Sequence, residues 1–95
     1  MKVFAIASPT PALTPEKIQQ HMSDEVPATL KLYLDGKVEQ FWFRDKAGPI
    51  FLMNVESVEQ AKATLDTLPL VAEGLMSYDL MPVGPLMPLG RLIQK

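Results

Sequence analysis

The stretch GKVEQFWFRDKAGPIFLMNVES, residues 36–57, constrains the fold more than any other part of the chain. Two runs rich in aromatic, β-branched and aliphatic residues, Val38–Arg44 and Pro49–Val55, are joined by Asp45-Lys46-Ala47-Gly48. That pattern predicts an antiparallel hairpin with a polar turn. A lone hairpin is at best marginal in water, so this one needs further strands or a helix packed on it. The next residues supply a helix start. Ser57-Val-Glu-Gln60 has capping-box spacing, and Val58, Ala61, Leu65 and Leu68 recur at helical steps until Pro69 closes the segment.

Upstream, Lys2–Ala7 is short, apolar and β-prone, and reads as a first strand. Pro9 and Pro11 lack ladder donors, so Ser8–Thr14 reads as a loop. Thr14-Pro15-Glu16 opens a helix with a hydroxyl cap, a proline in the first turn and an acid beside it. Ile18, Met22, Val26, Leu30 and Tyr33 then form an apolar stripe expected to be that helix's buried face. Pro27 interrupts the pattern, so a kink near Ser23 or a break at Pro27 is expected, with Gly36 as the left-handed cap after Asp35. Downstream, Leu75–Met81 gives a fourth strand.

The order is β-α-β-β-α-β: an α+β, ferredoxin-like arrangement, with a four-stranded antiparallel sheet and two helices on one face. The other face would be bare and too apolar for water. Two such sheets facing each other would cover both, so the expectation is a dimeric α+β barrel, a homodimer or higher homo-oligomer. Residues 1–83 make the domain. The Pro- and Leu-rich tail, residues 84–95, is expected to pack on a neighbouring subunit.

Composition narrows the function classes. A chain of 95 residues that is 47% hydrophobic supports one core, and without cysteine it has neither disulfides nor thiolate metal sites. The net charge of −2 comes with scattered Lys and Arg, so nucleic acid is not an expected partner. The apolar run Val3–Ala7 is shorter than the ~7–15 residues of a signal-peptide core. No apolar run approaches the roughly 20 residues of a membrane span. The chain reads as cytoplasmic, with no membrane partner. With one histidine, no bound metal or other cofactor is expected, and no Gly-rich phosphate loop or G-x-S-x-G motif occurs.

From the acidic pair Asp24-Glu25 through DGKVEQFWFRDKAGPIFLMNVESVEQAKATLDTLPL, the chain resembles the muconolactone isomerase family. The shared features are the acidic pair in the first helix, a glycine before strand two and the FWFR ending of that strand. The strand ending Asn54-Val55, the helix start ESVEQ and the LPL at residues 68–70 complete the likeness. It spans the middle and later two-thirds of the chain. The Pro-rich first loop, the length of the hairpin turn and the hydrophobic tail depart from it. The resemblance implies a dimeric α+β barrel that assembles beyond the dimer. It also implies a cofactor-free isomerase that shifts a proton in a small unsaturated lactone or carboxylate. Two alternatives stand beside it: a non-catalytic oligomeric protein binding an aromatic or other small molecule, and a cofactor-free monooxygenase, which rests on fold analogy alone.

Such an isomerase needs a base poised near neutrality and a donor for an enolate-like oxygen. His21 and Glu25 lie four apart on the first helix and share a face. At about 100° per residue, the pair borders the apolar stripe and Glu25 intrudes on it, where desolvation would raise its pKa. The alternative is a half-exposed ion pair. Period-two alternation places Gln40, Trp42 and Arg44 on one strand face with Val38, and Phe41 and Phe43 on the other. On the bare face, Arg44 would clamp a carboxylate and Trp42 would stack on a flat ring. Alternatively, Arg44 pairs with Asp45 or Asp79 and Trp42 is core. Tyr33 and Tyr78 are candidate proton donors or packing residues.

Overall fold

Each expected element forms, and most end where capping chemistry dictates. The structure is a computed structural model that describes residues 1–84. The expected subunit-packing tail lies outside the described residues, apart from Gly84. Strand β1 (Lys2–Pro9) leads to helix α1 (Pro15–Leu34), the hairpin β2 (Val38–Arg44) and β3 (Gly48–Asn54), and helix α2 (Val58–Leu65). A single helical turn, α3 (Pro69–Ala72), precedes β4 (Met76–Val83). The sheet is antiparallel with order β2-β3-β1-β4, which is the ferredoxin-like topology.

Thr14 Oγ1 accepts from Lys17 N, and Ser57 Oγ accepts from Gln60 N. The Gln60 side chain reaches back one residue further than in a standard capping box and accepts from Glu56 N. At the end of α1, Gly36 adopts φ 78° and Lys37 N donates to Leu32 O, a Schellman closure. Gly48 is required twice over. Its φ is 90°, and a Cβ there would stand 3.2 Å from that of Ala7.

One face of the sheet carries the core. Val3, Ala5, Phe51 and Met53 pack against Leu32 of α1, Ala61 and Leu65 of α2, and Leu68. Fully burying each large apolar side chain contributes about 1.5–3 kcal/mol. The opposite face has no covering element among the described residues. Phe4, Ile6, Ile50 and Leu52 are half-buried there, and Trp42 and Met81 are exposed beside them.

Five expectations need correction. First, β1 continues through Ser8 and Pro9, which pair with Ser77 and Met76. Pairing with β3 ends at Ile6, and Thr10 N donates towards β4, so Pro9's missing N–H falls on the side β3 has vacated. Second, the break considered at Pro27 does not occur: α1 runs continuously through that residue, which sits on its exposed side. Third, the apolar stripe of α1 is not its buried face. Glu25 and Leu32 are buried, with Ala28 packed beside the core, whereas Val26, Leu30 and Tyr33 are about half exposed. Fourth, a bulge at Glu39 opposes Val38 to Met53 but Gln40 to Leu52. Val38 therefore turns into the core while Gln40 and Trp42 keep to the bare face, and simple alternation fails at that point. Fifth, Pro69 opens α3 rather than closing the preceding helix, which ends at Leu65.

Candidate functional site

The stripe of α1 that misses the core faces a groove of about 820 Å³. Ile18, Met22, Val26 and Leu30 form one wall. Phe41, Phe43 and Pro49 of the hairpin form the other, with Phe51, Leu70, Met76 and Tyr78 towards the core. Among the described residues, its charged lining residues are Glu25 and Lys46. Lys46 is exposed in the hairpin turn, held at φ 62°.

Glu25 is the group with chemical potential. It is 7% exposed, and one oxygen, Oε1, accepts a 2.9 Å hydrogen bond from Leu70 N. The reason lies in α3. Pro69 fills its first position, and Leu68 at the N-cap offers no side-chain acceptor. The N–H of Leu70 thus has no partner within the helix, and the carboxylate reaches across 45 residues of sequence to cap it. Among the described residues no buried side-chain oxygen or nitrogen is orphaned. Oε2 makes no hydrogen bond with the described residues, and Glu25 lines the groove.

Burial raises the Glu25 pKa above its ordinary value of 4.5; the Leu70 hydrogen bond and the charge of nearby His21 oppose that shift without cancelling it. Tyr78 moves the same way. Burial, with a smaller contribution from the Glu25 charge, pushes its phenol well above the usual range. Tyr78 stacks on Phe51 with centroids 5.5 Å apart, and Phe51 meets Phe41 edge-on at 6.5 Å. The result is a carboxyl driven towards neutrality and a phenol held protonated, both on one groove.

The remaining candidates are distributed otherwise. His21 lies half-buried one turn before Glu25 but is not part of the lining. Trp42 touches the rim between Phe41 and Phe43, while its ring stands 6.2 Å from that of Phe4 on the bare face. Gln40 also belongs to that face, exposed opposite Leu52. Tyr33 sits outside the groove, edge-on to Phe41 at 5.5 Å. Arg44 does not join Glu25. Its Nη2 donates to Ala7 O at 2.6 Å and Ala47 O at 3.0 Å, and its Nε to Gly48 O. It donates to Ala7 O just beyond Ile6↔Ile50, where the β1–β3 pairing ends, and pairs with neither Asp45 nor Asp79. The partner of Glu25, the backbone of Leu70, left no trace in the sequence beyond the proline before it.

No protein-family model matches the chain, and no curated protein matches it. Among the described residues no group of three or more His, Cys, Asp or Glu side chains is placed to hold a metal, and no helix is long and apolar enough to cross a membrane.

A raised carboxyl pKa sets the sign of a stability effect. Below pH 4.5 both folded and unfolded chains hold the Glu25 proton; above it the unfolded chain releases the proton first, so stability falls as pH rises towards the folded pKa. Glu25→Gln keeps an amide oxygen for Leu70 N and cannot ionise. Denaturant melts across this range should show the variant gaining on the parent as pH rises. A gap that closes with pH contradicts the assignment.

Proposed function

We propose that the protein is a cofactor-free isomerase acting in the α1 groove, shifting a proton in an unsaturated lactone or related carbonyl compound. The observation that carries this reading is Glu25: a buried carboxylate in the lining of an apolar groove, with one oxygen anchored by Leu70 N. A base of raised pKa takes a carbon-bound proton more readily at neutral pH than an exposed carboxylate does. In the first step Oε2 accepts the proton next to the carbonyl. The C–H bond breaks, the O–H bond forms, and the electron pair moves onto the carbonyl oxygen as an enolate. The Tyr78 phenol, which stays protonated, donates a hydrogen bond to that oxygen. Glu25 then returns the proton at the far end of the conjugated system. The double bond has moved, and nothing has been oxidised or reduced. Two titratable groups with separate duties is a recurring arrangement in proton-transfer sites. His21 adjusts the base through its charge and has no direct part in the transfer.

The likeness to the muconolactone isomerases supports the same chemistry, with the base carried at Glu25. The binding geometry differs from the one the sequence suggests, since Arg44 is engaged with backbone carbonyls and does not line the groove. A second reading, a binding protein without turnover, is favoured by the almost wholly apolar lining. Hydrogen–deuterium exchange next to the carbonyl of butenolide lactones separates the two. The parent should speed exchange, Glu25→Gln should lose at least about 100-fold of that rate, and Tyr78→Phe should lose less. Exchange no faster than in buffer leaves the binding reading.

The bare sheet face fits a second copy of the chain. Phe4, Ile6, Trp42, Ile50, Leu52 and Met81 make a contiguous apolar surface on one side of a four-stranded sheet, and such a surface marks an interface. Sedimentation should find dimers or larger assemblies at micromolar protein, and Trp42→Glu should yield monomers of normal helix content. A monomeric parent contradicts the barrel.

A further inference from the structure

Resting on the reading of the α1 groove as the site, we infer that its ligand is a neutral, fused-ring carbonyl compound, larger and less polar than a small carboxylated lactone. Three observations converge on that class.

The first is size. The groove, at about 820 Å³, lies in the upper part of the ~300–1,000 Å³ range of sites that enclose ligands with several rings. A single lactone ring with an acetate arm leaves most of it filled with water against apolar walls. The second is charge. A ligand carboxylate at the floor would meet Glu25 and, among the described residues, no cation. Arg44 is bound to three backbone carbonyls, and Lys46 stands in the exposed turn at the mouth. An anion there is disfavoured by the same desolvation that acts on Glu25, and by repulsion whenever Glu25 is ionised. The third is wall chemistry. Phe41, Phe51 and Tyr78 form a continuous aromatic array of edge-on and stacked contacts, and Phe43 extends it outward, 77% exposed. Opposite stand the aliphatic Ile18, Met22, Val26 and Leu30. A flat ring system lies between those walls with its faces and edges matched. Its carbonyl end would reach the floor, where Glu25 and the Tyr78 phenol offer polar groups.

Isothermal titration with three probes tests this: a benzocoumarin (a neutral three-ring lactone), its ring-carboxylated derivative, and a butenolide acetate. Measured on Glu25→Gln, which cannot ionise, binding is independent of turnover, so loss of the isomerase reading would not disturb the result. The benzocoumarin should bind at least about tenfold more tightly than either anionic probe. Phe43→Ala should weaken it severalfold with no change in melting temperature, since that ring is exposed in the free protein. Tighter binding of the carboxylated derivative, lost in Lys46→Ala, would overturn the inference by making Lys46 an anion site. No binding of any probe, together with an oligomer that Phe43→Ala dissociates, would overturn it in favour of a second copy seated in the groove.

Discussion

The hydrogen bond from Leu70 N to Glu25 Oε1 decides what the rest of the molecule can do. It joins α1 to α3 at a point where α3 has no cap of its own. Without that acceptor, a backbone N–H beside the core would be unpaired, at a cost of about 1–3 kcal/mol. With it, a carboxylate is fixed in an environment that disfavours its charge. The face of α1 marked by Glu25, Ala28 and Leu32 is thereby committed to the core side. The apolar stripe beside it is left facing the hairpin across a gap, and that gap is the groove.

The sheet divides the remaining apolar surface between two purposes. On the helix side, Phe41 and Phe43 extend beyond the edge of the helical cover and are not closed over by it. On the bare side, Phe4 and Trp42 lie together among half-buried aliphatics with no element above them among the described residues. Neither surface resembles an ordinary solvated face. A ligand in the first and a twin on the second would account for both, and the bulge at Glu39 lets β2 serve the two sides. It turns Val38 inward while holding Phe41 and Trp42 on opposite faces.

Much of the fold was legible because local chemistry and tertiary structure agree. Thr14, Ser57 and Gly36 cap as their residue types require, and the hairpin follows from two apolar runs and a turn. What the sequence concealed were features set by distant partners. Period-two reasoning cannot see a bulge, so it puts Val38 on the wrong face. Helical periodicity finds the stripe on α1 but not which flank of it meets the core, because that flank combines a carboxylate, Glu25, with only Ala28 and Leu32. Glu25 was recognisable as an intruder on an apolar face. Its hold on Leu70 was not, since a backbone donor has no residue identity. Arg44 misleads for a related reason: a guanidinium suited to a carboxylate is equally suited to three carbonyls beside the end of the β1–β3 pairing.

A pH titration of the Glu25 side-chain carboxyl resonance by NMR reaches the central point without a substrate. A midpoint above the ordinary glutamate value of 4.5, moving further up when Leu70 N–H is removed by Leu70→Pro in protein that remains folded, is the expected result. A midpoint at or below that value would mean the carboxylate is comfortably solvated or fully paired. It would then be a cap and not a base.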